Sequence, residues 1–152
     1  MKDVMIVTGA GQISLAITRR MGAGKKIVVG DKSPANAAAF CGVLNKAGFD
    51  AEPFEMDMSD RTSIKALVAR ACELGPVMAL VNGAGVSPSQ APIEAILAVD
   101  LYGTAALLEE VGAVIERGAH QLHQPRHHRD PAGHRRVQRP ARRLHHRQRL
   151  PD

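Results

Sequence analysis

The sequence is poor in aromatic residues and in cysteine. Its 152 residues include no tryptophan, one tyrosine, three phenylalanines and two cysteines. Two cysteines, Cys41 and Cys72, are too few for a disulfide framework and lack the close spacing of zinc ligands. A disulfide-stapled secreted domain and a zinc module are therefore both disfavoured. We therefore expect both residues to be buried thiols of a cytoplasmic protein.

Long apolar runs are also missing. No stretch approaches the roughly 18 consecutive apolar residues that a membrane span needs. The chain begins with a strand-like segment rather than a basic start followed by a long apolar run, so no secretory leader is predicted. Both absences favour a cytoplasmic location and no membrane partner.

Positive charge is unevenly distributed along the chain. Residues 1–118 hold 11 Lys and Arg against 13 Asp and Glu, whereas residues 119–152 hold 9 Arg against 2 Asp. All seven histidines lie in the second part, and every Lys, Ile, Ser, Thr and Asn lies in the first. This change near Gly118 predicts one folded domain over 1–118 and a disordered Arg/His-rich tail over 119–152.

Apolar periodicity in the first part alternates between strand and helix. Strands are predicted at 4–7, 25–31, 51–57 and 77–81, and helices at 13–21, 34–47, 63–74 and 93–115. We expect Ser33 to cap the second helix and Asp60 or Ser59 to cap the third. Strands that are apolar on both faces and alternate with helices predict an α/β fold, a Rossmann-like doubly wound parallel sheet truncated after about four strands.

The segment VTGAGQIS, at residues 7–14, predicts a site for an anion. Gly9 and Gly11 allow a tight turn and let a pyrophosphate approach the N-terminus of the first helix. Ser14 stands where a dinucleotide-binding motif usually has its third glycine. Asp31 follows Gly9 by 22 residues, where a carboxylate can bind an adenosine ribose and repel a 2′-phosphate. NAD is therefore favoured over NADP, a preference that the adjacent Lys32 moderates.

Four motifs in order resemble the short-chain dehydrogenases/reductases. They are the turn with Thr8, Gly9 and Gly11, the segment EMDMSD around Asp57, the segment NGAG at 82–85, and the helix segment VDLYGT at 99–104. The resemblance covers about residues 1–117. It implies a nicotinamide dinucleotide as ligand, an alcohol or carbonyl as substrate, and a homo-oligomer if a full-length chain exists.

The resemblance implies a set of cofactor-binding residues. Asp57 and Met58 would lie beside the adenine, and 82–85 would support the sheet and pass near the ribose. The implied set is Thr8, Gly9, Gly11, Gln12, Ile13, Asp31, Asp57, Met58, Asn82, Gly83 and Ala84.

Several residues depart from the family pattern. Gln12 and Ser14 replace glycines, and Gly83 replaces the second Asn of an Asn-Asn-Ala-Gly motif. Asp100 replaces an Asn that supports a proton relay in the family, and we expect Asp100 to face solvent.

The catalytic set of the family is absent from this chain. That set consists of a Ser and a Tyr followed four residues later by a Lys, which brings the pKa of the tyrosine near the working pH. Here the residue four positions after the single tyrosine, Tyr102, is Ala106 rather than a lysine. The last lysine and the last serine of the chain are Lys65 and Ser89. We predict no catalytic residue and no metal ligand, and a chain that binds a cofactor without turnover.

Residues 119–152 allow several interpretations. Their arginines could bind nucleic-acid phosphates and their histidines a metal, in which case the protein is a non-catalytic nucleotide-binding module with a basic arm. No aromatic residue is present to stack on bases, so nucleic-acid binding is disfavoured. From His120 onward every residue type has a codon beginning with C or G, which is typical of a GC-rich gene read out of frame. We favour a frameshift near codon 118.

Overall fold

A computed structural model describes residues 1–87, 89 and 91–115, so the predictions for the Arg/His-rich tail lie outside the described residues. The described chain alternates strands and helices. In order these are β1 Val4–Thr8, α1 Gln12–Met21, β2 Lys26–Asp31, α2 Pro34–Lys46, β3 Asp50–Glu55, α3 Arg61–Leu74, β4 Val77–Asn82, α4 Ile93–Ile96, a π-helical segment Leu97–Gly103 and α5 Thr104–Val114.

The four strands form one parallel sheet in the order β3-β2-β1-β4. Side chains of β1 alternate between two apolar layers, with Val4 and Ile6 in the layer of α3 and α5, and Met5 and Val7 in the layer of α2. All four side chains are fully buried. Helices therefore cover both faces of the sheet, which confirms the predicted Rossmann-like, doubly wound α/β fold.

Strand β3 corrects one expectation, because it is not buried on both faces. Only Ala51 of this strand is buried, whereas Pro53 and Glu55 are exposed, as expected for a strand at the end of the sheet. Pro53 is tolerated there because an edge strand can lack one ladder hydrogen bond. Charged pairs also line this strand: Lys26 contacts Asp50 and Glu52, and Arg70 contacts Glu52.

The two cysteines differ in burial, which corrects a second expectation. Cys41 is buried in the layer of α2, whereas Cys72 is exposed. The inward face of α3 consists of Ile64, Leu67, Val68 and Ala71. Cys72 follows Ala71 by one residue, about 100° further around the helix, and therefore points away from the core.

The predicted caps position α2 and α3. The Ser33 side chain accepts a hydrogen bond from the Asn36 N–H at 3.3 Å, and Pro34 occupies the first turn. Asp60 rather than Ser59 caps α3, accepting from the Thr62 N–H at 2.8 Å. A side-chain oxygen before each helix thus binds one of the N–H groups that the first turn leaves unpaired.

The last described helix differs from the regular helix predicted at 93–115. A π-helical segment, Leu97–Gly103, separates α4 from α5. Gly103 lies so close to the Met58 carbonyl oxygen that a Cβ at this position would overlap it. Within the described part of the chain, no helix has the length and apolar content that a membrane crossing requires.

Candidate functional site

A groove of about 490 Å³ lies at the carboxyl ends of the strands, where β1 separates β2 from β4. In open parallel sheets, ligands bind at such a change of strand order. Seven of the predicted site residues line the groove: Gly9, Gly11, Asp31, Asp57, Met58, Gly83 and Ala84. Four others, Thr8, Gln12, Ile13 and Asn82, do not line it but belong to the turn, helix and strand beside it.

Gly9 is required both by its backbone angle and by space. Its φ is +79°, in the left-handed region that favours glycine, and a Cβ would lie 2.6 Å from the Ala84 backbone nitrogen. Gly11 differs, because it caps α1 with a φ of −94° and has open space around its Cα. The turn therefore places Gly9 against the loop after β4 and leaves Gly11 facing an unfilled part of the groove.

Asp31 ends β2 and holds the glycine turn in place. Its carboxylate oxygens accept hydrogen bonds from the Ala10 N–H at 2.8 Å and the Ser33 N–H at 2.8 Å. A carboxylate has about four lone-pair positions, so two acceptor positions remain for ligand hydroxyls. The sequence predicted the ligand-binding role of Asp31 and missed its hydrogen bond to the turn.

Lys32 and Asp57 both line the groove and form an ion pair. The Lys32 Nζ lies 2.9 Å from an Asp57 carboxylate oxygen, and the Ser59 hydroxyl and N–H donate to the other oxygen at 2.7 and 2.8 Å. The Ser59 hydroxyl, then Lys32, then the Ser59 N–H lower the pKa of Asp57 to about 2. Met58, next in the chain, is 95% buried and belongs to the apolar layer of α3 and α5 as well as to the groove.

Asn82 joins β1 to α5. Its side-chain oxygen accepts a hydrogen bond from the hydroxyl of the fully buried Thr8 at 2.7 Å, and its amide donates to the Thr104 hydroxyl at 3.3 Å. The Gly83 N–H donates to the Thr8 carbonyl oxygen at 2.8 Å. Asn82 therefore fixes the loop after β4 beside the turn that follows β1.

Asp100 is exposed, as expected, yet it also has a structural contact. Its carboxylate accepts a hydrogen bond from the Val86 N–H at 3.0 Å. Val86 lines the groove, as do Lys32, Asn36 and Val99, which sequence reasoning did not include in the site. The sequence offered a signal for two of these four, because Lys32 is adjacent to Asp31 and Val99 begins the motif VDLYGT.

The parallel sheet and the glycine turn at its switch point define a Rossmann-like dinucleotide-binding class. A family model described as short chain dehydrogenase matches residues 3–117. The chain belongs to the short-chain dehydrogenase family of oxidoreductases.

Relatives in other organisms match the same region. A short-chain dehydrogenase/reductase of Alternaria brassicicola is 35% identical over 117 residues, which cover 77% of this chain and 43% of that protein. Nodulation protein G of Azospirillum brasilense is 33% identical over 129 residues, with 77% and 52% covered. The chain thus spans about half the length of the curated relatives it matches.

Solved structures share the fold. A variant of the actinorhodin polyketide ketoreductase with NADPH is 30% identical, with a TM-score of 0.64 over 72% of this chain and 46% of that chain. A short-chain dehydrogenase/reductase from Burkholderia phymatum in complex with NAD is 24% identical, with a TM-score of 0.66 and coverages of 74% and 44%. The second likeness concerns the fold alone.

Proposed function

We propose that residues 1–117 bind a nicotinamide dinucleotide, with NAD preferred to NADP, as the cofactor-binding part of an oxidoreductase acting on an alcohol or carbonyl. The observation that carries the proposal is Asp31, whose carboxylate is fixed beside the glycine turn and lines the groove. The nicotinamide would supply the hydride acceptor or donor. In this chain, the N-terminus of α1 would bind the pyrophosphate and Asp31 the adenosine ribose.

The preference for NAD follows from the charges beside Asp31. A 2′-phosphate beside Asp31 would meet a carboxylate at short range, and the adjacent Lys32 is already paired with Asp57. Among the described residues that line the groove, two carboxylates against one ammonium give a net negative charge beside Asp31. Lys32 would therefore offset the negative charge of a 2′-phosphate only in part.

A fluorescence titration with NADH tests the cofactor site. The unaltered protein should show saturable enhancement, and Asp31→Ala should weaken binding about 10-fold or more, since hydrogen bonds to a charged group typically contribute about 1.5–3 kcal/mol. Asp3→Ala is the matched control, because it removes one carboxylate at the opposite end of β1 from the groove.

Titration with NADPH tests the preference. NADPH should bind more weakly than NADH, and Asp31→Asn should narrow the difference by removing the negative charge. Absence of saturable binding at millimolar NADH would remove the proposed function, whereas equal affinities for the two cofactors would remove only the preference for NAD.

We also propose that this chain does not turn over substrate, and that residues 119–152 derive from an out-of-frame reading of the gene. The absence of the Ser and Tyr-x-x-x-Lys set supports the first statement, and the residue types after His120 support the second. Resequencing codons 110–125 and translating the downstream DNA in all three frames tests both. A strand with Ser followed by Tyr-x-x-x-Lys in another frame is expected, and its absence from every frame would make the tail genuine.

A second candidate is a non-catalytic nucleotide-binding module whose tail binds nucleic acid or metal. The nine arginines and seven histidines of 119–152 favour it. Steeply salt-dependent binding to duplex DNA, lost on deletion of 119–152, would support it. Either function fits a reducing, cytoplasmic compartment, where a free and exposed thiol such as Cys72 is ordinary.

A further inference from the structure

Two departures from the family pattern, Ser14 and Gly83, lie directly against each other. Ser14 is 98% buried in the first turn of α1, and Gly83 follows β4. A Cβ added to Gly83 would overlap the Ser14 hydroxyl oxygen, whereas its next neighbours, the Thr8 carbonyl oxygen and the Ser14 Cβ, would be 3.2 and 3.4 Å away. The serine hydroxyl thus fills the space that a side chain at position 83 would need.

The requirement for glycine at position 83 is one of space rather than of backbone angle. The glycines with positive φ in the described chain are Gly9, Gly24, Gly48 and Gly75, and Gly83 is not among them. Without the Ser14 hydroxyl, the tightest remaining contact of a Cβ at position 83 would be the Thr8 carbonyl oxygen at 3.2 Å, which calls for a shift of a few tenths of an ångström. The constraint on residue 83 therefore comes from the residue at position 14.

We propose that Ser14 and Gly83 are a compensating pair of positioning residues that sets the distance between the first turn of α1 and the loop after β4. The resembled family has a glycine at the position of Ser14 and an asparagine at the position of Gly83. This chain has the larger residue at the first position and the smaller at the second. Closely packed interiors accept such exchanges when the total volume is kept, and they resist added volume on one side.

The position of this pair links it to the groove. Gly83 lines the groove and its N–H donates to the Thr8 carbonyl oxygen, and Gly9 lies against the backbone of Gly83 and Ala84. A side chain at 83 would push α1 away from this loop and move the N–H groups at the start of α1. The cofactor readout below rests on the proposed function, whereas the stability readout does not.

The test compares Gly83→Ala, Ser14→Ala and the double variant in the full chain. Gly83→Ala should lower the Tm by roughly 5–15 °C and weaken NADH binding, because it overpacks a buried contact. The double variant should recover most of the Tm and of the NADH affinity, because Ser14→Ala removes only the overlapping oxygen. If Gly83→Ala yields no folded protein, recovery of a cooperative melt in the double variant supports the pair equally.

Gly9→Ala is the matched control. Its added Cβ would meet backbone atoms of Gly83 and Ala84 at 2.6 Å, and its φ of +79° is itself unfavourable, so Ser14→Ala should not rescue it. The pairing would be overturned if Gly83→Ala leaves the Tm unchanged. It would also be overturned if Gly83→Ala lowers the Tm by the same amount with and without Ser14→Ala. Rescue of the Tm in a protein that binds no NADH would support the pairing and contradict the proposed function.

Discussion

At the residue scale, acidic side chains around the groove bind the protein's own N–H groups. Asp31 binds the Ala10 and Ser33 N–H groups, and Asp57 binds Ser59 and Lys32. The spacing from the glycine turn located Asp31 at the end of β2, and the resemblance to the family located Asp57 shortly after β3. Neither signal predicted their partners, since these depend on how closely the turn, the loop and the strand ends approach.

Asp57 leads to a prediction about acid stability. Its pKa in the folded protein is about 2, below the ordinary value of 3.8, so its contribution to stability is present above pH 4 and is lost as the pH falls toward 2. Because the side chain is one-third exposed, this contribution is on the order of 1 kcal/mol. Urea unfolding between pH 2 and 6 measures the free energy of unfolding of the unaltered protein and of Asp57→Asn. Plotted against pH, the two free energies should converge at low pH.

Asp3→Asn is the control for this measurement. In the described part of the chain, no hydrogen bond or ion pair involves the Asp3 carboxylate, so the variant should follow the unaltered protein. If the free energies of unfolding of the unaltered protein and of Asp57→Asn differ by the same amount over the whole pH range, the lowered pKa of Asp57 is contradicted.

At the scale of elements, caps and apolar faces decide where the helices begin and which side is buried. Ser33 and Asp60 were predictable because a short polar side chain before an apolar helical pattern is a local signal. The π-helical segment was not predictable, because its apolar residues also fit a regular helix. Among the apolar residues of the π-helical segment and α5, Leu107 and Val111 are buried in the core, whereas Leu101 and Leu108 are exposed.

The faces of α2 and α3 predict different reactivities for the two thiols. Burial and the charge of Glu52 raise the pKa of Cys41 to about 11, whereas Cys72 is exposed on α3. At pH 8, iodoacetamide should label Cys72 in the folded protein and Cys41 only after unfolding. Peptide mass spectrometry with and without urea measures this, and Cys72→Ser, which should leave the folded protein unlabelled, is the control. Rapid labelling of Cys41 in the folded state would contradict the described packing of α2.

At the scale of the whole molecule, the groove and the basic tail occupy separate parts of the sequence. The described residues that line the groove lie between Gly9 and Val99, whereas the excess of arginine begins after residue 118. Among the described strands, β3 and β4 are the ends of the sheet. Charged pairs line β3, whereas β4 carries half-buried apolar side chains from Met78 to Leu80. An apolar edge strand favours association between chains.

Deletion of residues 119–152 tests this separation. The shortened chain should bind NADH with an affinity within about twofold of the unaltered protein, because the residues proposed to contact the cofactor remain. The titration should be made at two salt concentrations, since a contribution of the arginines to binding a dianionic ligand would weaken with salt. Loss of NADH binding on deletion would show that the tail contributes to the site.

The sequence by itself determined the alternation of strands and helices, the fold class, the glycine turn and the two acidic residues of the groove. The elements, the fold class and the glycine turn follow from signals within a few residues of each other: apolar periodicity, caps, and glycines at the end of a strand. Asp31 follows from its spacing of 22 residues from Gly9, and Asp57 from the resemblance to the family. The tertiary structure alone decided that β3 is an edge strand, that Asp31 binds the turn, and that Ser14 fills the space beside Gly83. Each of these depends on contacts between residues distant in sequence or on the place of an element in the fold, and local patterns carry no information about either.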